Sequence, residues 1–192
     1  MLKFALVGNI ASGKTTVQKY LEEFGYLVLD TDLVCHELLE NSVEIEEAFS
    51  AYDVFDNGKI SRTKLGKLVF ENEQLKHALE NLLYPDLIGE IKSFFEANRD
   101  KKVVFVAIPQ LFEAGMEDLF DKILFVYSDD ELRLERLIRR NNYTNSYARC
   151  RMAAQIPQNE KLKKSDYVIY NNLDLQSLKV EIKEFLQSQK LL

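Results

Sequence analysis

An α/β fold, a doubly wound sheet of five strands flanked by helices, is what this 192-residue sequence predicts. Three observations carry the prediction. Short β-branched and aromatic runs recur, and their nearly continuous hydrophobicity is that of strands buried on both faces, as in a parallel sheet covered by helices. Helical patterns follow most of those runs, and alternation of strand and helix defines the class. The first run also leads directly into a glycine-containing loop of the kind that joins a strand to a helix.

The elements follow in order. "KFALV" (3–7) is the first strand, and "GNIASGKTT" (8–16) follows it. That loop fits G-x-x-x-x-G-K-[ST], with Gly8, Gly13, Lys14 and Thr15 at the defining positions. Glycine permits the backbone conformations and close approaches that a Cβ blocks. Successive N–H groups can then surround phosphate oxygens, aided by the positive end of the next helix. Lys14 is placed to reach the β- and γ-phosphates and the Thr15 hydroxyl to ligate Mg²⁺. The whole loop, Gly8, Asn9, Ile10, Ala11, Ser12, Gly13, Lys14, Thr15 and Thr16, is the expected nucleoside-triphosphate-binding segment.

"YLVL" (26–29) is the second strand, "VVFVAI" (103–108) the third, "ILFVY" (123–127) the fourth and "YVIY" (167–170) the fifth. Residues 174–190 place Leu175, Leu178, Ile182 and Leu186 on one helical stripe. Residues 33–99 interrupt the rhythm with an all-helical insertion, in which Leu75, Leu79 and Leu82 share one face and Leu87, Ile91 and Phe94 another. An insertion of this size after a phosphate loop is a candidate acceptor cap. The expected division is a nucleotide-binding core, 1–32 and 100–192, with a lid at about 129–165, and a helical substrate domain, 33–99. "DVFDNGKISRTK" (53–64) imitates a calcium loop, but Phe55 and Lys64 would occupy ligand positions that require oxygen. It reads instead as a turn at Asp56-Asn57-Gly58 before a helix capped by Ser61.

Composition narrows the function. The hydrophobic share of 46% and charged share of 29% are those of an ordinary soluble protein. The net charge of −6 argues against a general nucleic-acid surface. Cys35 and Cys150 are the only cysteines and form neither a disulfide framework nor a metal cluster, which fits a reducing cytoplasm. The longest apolar run, "VVFVAIP" at 103–109, is far below membrane-spanning length. His36 and His77 belong to no metal or nucleophile constellation and read as structural.

Two clusters remain for chemistry. "LDTD" (29–32) ends the second strand, where acceptor and Mg²⁺ belong in such a sheet. Asp30 can cap the next helix, and Asp32 can align an acceptor hydroxyl and take its proton during phosphoryl transfer. In "DDELRLERLIRRNN" (129–142), Arg133, Arg136 and Arg140 fall on one helical face. The bland reading is a solvated charged face. The functional one is a lid whose guanidinium groups, from Arg136 and Arg140 above all, meet the nucleotide phosphates.

Together "GNIASGKTT", "LDTD", "ISRTKLGKLVFENE", "LLYPDLI", "VVFVAIPQLFEAG", "RLERLIRRN", "RMAAQ" and "SDYVIYNN" resemble the dephospho-CoA kinase family over nearly the whole chain. The resemblance implies a P-loop kinase core with strand order 2-3-1-4-5, a helical CoA-facing domain and a mobile lid. It implies ATP- and Mg²⁺-dependent phosphorylation of the ribose 3′-hydroxyl of dephospho-CoA, the last step of coenzyme A biosynthesis, by a cytoplasmic monomer or weak homo-oligomer. Lys14, Asp32 and Arg140 map onto the catalytic positions and Thr15 onto the metal position. Arg62, Tyr84, Pro85 and Gln155 map onto the acceptor side. Three departures stand out: Tyr84 replaces the family's usual histidine, Gln110 a usual leucine, and Ala107 a frequent acidic residue. A nucleoside or nucleoside-monophosphate kinase of the same fold is the alternative, and a slow nucleotide-dependent switch a more distant one.

Overall fold

In the computed structural model, which describes residues 1–191, the chain runs β1 (Leu2–Gly8), α1 (Lys14–Glu23), β2 (Val28–Asp30), α2 (Thr31–Asn41), α3 (Val43–Phe49), β3 (Phe55–Asp56), β4 (Lys59–Ile60), α4 (Arg62–Glu71) and α5 (Glu73–Ala97). It continues β5 (Val103–Ala107), β6 (Lys122–Tyr127), α6 (Asp130–Asn141), α7 (Asn145–Ala153), α8 (Gln158–Lys163), β7 (Tyr167–Tyr170) and α9 (Leu175–Ser188). Two units result: Met1–Leu29 with the chain from Asn98, and Asp30–Ala97.

The first unit is built on a five-stranded sheet ordered β2-β5-β1-β6-β7, the order expected for the five core strands. β1 pairs in parallel with both β5 and β6, and β6 with β7. Alternation along β1 sorts its side chains between two buried faces. Phe4 and Leu6 join Phe105, Leu124 and Val126 in a cluster closed by Val17 and Leu21 of α1 and by Leu178, Ile182 and Leu186 of α9. Ala5 and Val7 are equally buried on the other face, which is why the strands read as unbroken apolar runs. Phe4 stacks on Phe105 at 5.2 Å between centroids and meets Phe185 edge-on at 5.6 Å. Each such ring contributes about 1.5–3 kcal/mol through burial. Leu175, expected on the α9 stripe, is 61% exposed: it opens the helix after the Asp174 cap, and Phe185 takes its place in the buried set.

The second unit departs from the all-helical expectation. Residues 55–60 form a two-stranded hairpin, β3 with β4, turned by Asn57 and Gly58 at φ of 51° and 77°. Both central residues are left-handed, as a tight hairpin turn of this type requires. Lys64 holds the hairpin through ion pairs of 3.0 Å to Asp53 and Asp56, so the segment that imitates a calcium loop is bound by its own lysine. Ser61 stands at the N-cap position of α4 but makes no side-chain cap bond; its hydroxyl is engaged by Asp56, whose pKa it lowers together with Lys64. The two apolar faces read on either side of Pro85 belong to one continuous helix, α5. Its buried residues, Leu83, Leu87, Ile91 and Phe95, follow a spacing of four, so Phe95 rather than Phe94 completes the stripe. Ile45, Phe49, Val54, Ile60, Leu65 and Leu83 form the buried core of this unit.

Candidate active site

The loop between β1 and α1 is shaped by its glycines. Gly13 has φ +98°, and a Cβ there would strike the side chain of Asn171. At Gly8 a Cβ would meet the Ser12 Oγ at 2.5 Å and the Val126 carbonyl at 3.2 Å. Both positions therefore demand glycine, the first for conformation and the second for close approach. Ala11 is also left-handed, at φ 62°. For an L-residue that is a strained conformation, of the kind concentrated in ligand-binding loops. Within the loop, Ser12 N–H donates to the Asn9 carbonyl at 3.0 Å, and Gly13 becomes the N-cap of α1. The first-turn amides of a helix have no intrahelical acceptor, and here they begin at Lys14 and Thr15.

Four contacts from remote parts of the chain hold this loop. The Ile10 N–H donates to Gln155 Oε1 at 2.7 Å, and Arg133 Nε donates to the Ile10 carbonyl at 3.0 Å. Asn9 Nδ2 donates to the Ile156 carbonyl at 3.0 Å, and Asn171 Nδ2 to the Ser12 carbonyl at 2.8 Å. Apolar packing reinforces the polar contacts: Ile10 and Ala11 lie against Leu134, Leu137 and Ala148 of α6 and α7. Lys14 is buried, Ser12 is fully buried, and Thr15 is exposed. Ser12 Oγ and Asn9 Oδ1 are buried without a hydrogen-bond partner among the described residues. An anion ringed by amides and a lysine suits the Ser12 hydroxyl, which can donate to it, whereas Asn9 Oδ1 is an acceptor and takes a donor.

The arginine helix divides its three candidates. Arg133 is 2% exposed and serves the loop from behind, with its Nη1 on Asp130 at 2.8 Å. Burial lowers its pKa, but an arginine remains charged. Asp130 Oδ1 also accepts from Gln158 Nε2 at 2.8 Å, which ties α6 to α8. Arg136 is half-buried and donates to Ser128 Oγ at 2.9 Å and to the Asn171 carbonyl at 3.0 Å. It thus braces the residue whose side chain grips Ser12. Arg140 is exposed in the last turn, with Nε on Asn141 Oδ1 at 2.9 Å.

In the second unit, Asp30 is the cap of α2, its Oδ1 accepting from the Asp32 N–H at 2.9 Å. Asp32 stands in the first helical turn and is exposed. Cys35, one turn further, locates its neighbours: burial first, then Asp32 and Asp30, push its thiol up to about 11, while Arg62 pulls the other way. Arg62 opens α4 and is exposed, so α2 and α4 bring Asp32 and Arg62 to one neighbourhood. Tyr84 is half-buried and Pro85 exposed within α5. Of the expected acceptor residues, Gln155 lies in the first unit, on the phosphate loop. Asn171 and Lys161 are the residues that sequence reasoning passed over. The position of Asn171, just past the carboxyl end of the last strand, is the signal that could have identified it.

Comparison with known proteins agrees with the geometry. A family model described as dephospho-CoA kinase matches residues 2–177. A protein of that name from Fusobacterium nucleatum is 38% identical over 186 residues, covering 95% of this chain and 96% of the relative. Among solved structures, a Thermus thermophilus protein superposes with a TM-score of 0.86 at 31% identity over 97% of both chains. Dephospho-CoA kinase from Campylobacter jejuni superposes with a TM-score of 0.74 at 31% identity, over 97% of this chain and 96% of that one.

Proposed function

This chain belongs to the dephospho-CoA kinase family, and on that premise we propose how its residues carry out ATP-dependent phosphorylation of the ribose 3′-hydroxyl of dephospho-CoA. Lys14 and the loop amides bind the β- and γ-phosphates, and the Thr15 hydroxyl would hold Mg²⁺. The divalent ion, when bound, neutralises charge on the transferring phosphoryl group. Arg140 supplies a cation from the lid side, and Arg136 steadies Asn171 beneath the loop. Asp32 orients the acceptor hydroxyl and takes its proton. Asp30 is the cap of α2, as expected, and supports this reading by leaving the Asp32 side chain out of that role. Arg62 and Tyr84 contact the acceptor, with the phenol shaping the pocket where relatives carry an imidazole. The reaction belongs in the reducing cytoplasm, consistent with two free cysteines and with no described helix long and apolar enough to cross a membrane.

The observation that carries this reading is the phosphate loop itself: two glycines where a Cβ would collide, a buried lysine, and a buried Ser12 hydroxyl with no hydrogen-bond partner among the described residues. The family match favours dephospho-CoA over a nucleoside monophosphate as acceptor. Dephospho-CoA incubated with ATP, Mg²⁺ and the protein should gain one phosphoryl group by mass spectrometry, located at the 3′-oxygen by NMR. Phosphorylation of a nucleoside monophosphate panel instead, with dephospho-CoA untouched, would overturn the assignment.

A further inference from the structure

The short connection between α7 and α8, residues 154–157, touches the phosphate loop twice, through Gln155 on the Ile10 N–H and through the Ile156 carbonyl on Asn9. What holds that connection in place is unusual. The Ile156 N–H donates to Glu113 Oε1 at 3.3 Å, and the same oxygen lies 2.7 Å from Lys161 Nζ. Lys161 is fully buried, and Glu113 is 17% exposed. The ammonium lies 5.9 Å from the centre of the Phe112 ring. A buried ion pair loses the hydration of both charges and is often no more stable than an apolar pair of the same volume. Stability alone is therefore a weak reason for this pair, and its connections suggest another.

We propose that Glu113 and Lys161 are positioning residues for nucleotide binding: they anchor the 155–156 strut, and Gln155 on that strut sets the place of Ile10 in the phosphate loop. The geometry forms one continuous path. Glu113 lies in the loop that leaves the carboxyl end of β5, Lys161 comes from α8, and Glu113 Oε1 meets both Lys161 Nζ and the Ile156 N–H. Ile10 is then fixed at both ends of its peptide groups, its N–H by Gln155 and its carbonyl by Arg133. A loop with left-handed Ala11 and Gly13 on either side of Ser12 does not hold such a conformation by itself. Gln155 accordingly acts on the ATP side and not on the acceptor.

The test rests on ATP being the nucleotide, and is read by calorimetry with a non-hydrolysable ATP analogue, with dephospho-CoA titrated separately. Gln155→Ala leaves the Ile10 N–H without its acceptor, a loss that converts to about a tenfold weaker Kd for the analogue. Its Kd for dephospho-CoA and its Tm should stay near those of the parent. Glu113→Gln should weaken analogue binding similarly while also lowering Tm, because Lys161 is left buried beside a neutral group. Adding Lys161→Met to Glu113→Gln removes the stranded charge, so Tm should recover while the analogue Kd stays weak. The proposal is overturned if Gln155→Ala weakens dephospho-CoA but not the analogue, if Tm alone changes, or if the double variant recovers the analogue Kd together with Tm. Parent protein that binds the analogue yet makes no CoA would instead overturn the activity and leave the strut standing.

Discussion

The phosphate loop and the inserted unit are stabilised in opposite ways. Ile10 is held by Gln155 across 145 sequence positions, and Ser12 by Asn171 across 159. The polar contacts that shape the insertion are short-range: Ser42 to Ile45 over 3 positions, Asn72 to Leu75 over 3, and Lys64 to Asp53 over 11. Its long-range cohesion comes from apolar packing around Phe49 and Ile45. A site that must present amides and a lysine to a polyanion needs directional contacts, since hydrogen bonds fix orientation and hydrophobic burial does not. A unit proposed to receive the acceptor needs chiefly to keep its fold, with Asp32 and Arg62 both near Cys35. The first region is thus sensitive to the loss of single polar atoms, and the second to the loss of volume.

Substitutions can break or sharpen that contrast. The largest effect is expected of Asp32→Asn: turnover should fall about 10²–10⁴-fold, the range for removal of a general base, with ATP-analogue affinity and Tm unchanged. Unchanged turnover would remove Asp32 as the base. Phe49→Ala comes next and acts on volume; denaturant titration should show a loss of about 3–5 kcal/mol for a fully buried ring. Analogue affinity of the folded variant should be retained, and its loss would mean that the two regions do not divide their tasks as argued.

Lys14→Ala should reduce turnover roughly 10²-fold or more through one lost electrostatic contact, with little change in Tm. Turnover near that of the parent would remove the phosphate-loop assignment. Asp30→Ala deletes the α2 cap and should cost about 1 kcal/mol, read by thermal melting, whereas Asp30→Asn should be nearly silent. The smallest effect is chemical. A thiol pushed up to about 11, by burial first and by Asp32 next, carries almost no thiolate at neutral pH. The sign is that of a raised acid: the neutral form is favoured and reactivity appears only as pH climbs towards that value. Peptide mapping after brief maleimide treatment should find exposed Cys150 modified before Cys35, and Asp32→Asn should quicken Cys35 modestly.

The core strands and the phosphate loop were legible in the residues because each follows from local rules, whereas the strand order came only with the family resemblance. Buried parallel strands must be apolar on both faces, and glycines must stand where a Cβ collides. Asp30 and Asp32 were also legible as a pair, although two carboxylates side by side do not reveal which one caps; the bond from the Asp32 N–H to Asp30 does. The hairpin at 55–60 was half visible, as a turn without its two short strands, because two-residue strands leave no periodicity. Pro85 lies inside α5, which runs unbroken from Glu73 to Ala97 and buries Leu83 and Leu87 on either side of it.

By itself, then, the sequence determined the class of fold, the anion-binding loop and the carboxylate beside the second strand, since these depend on residue type and near neighbours. Only the tertiary structure decided that Arg133, not Arg136 or Arg140, reaches the Ile10 carbonyl, that Gln155 and Asn171 hold the loop from opposite sides, and that Lys161 is buried against Glu113. Those contacts join positions separated by 48 residues, from Glu113 to Lys161, up to 159, from Ser12 to Asn171. A hydrogen bond carries no trace in the sequence spacing of its partners when their meeting is enforced by the packing of a whole sheet and its flanking helices.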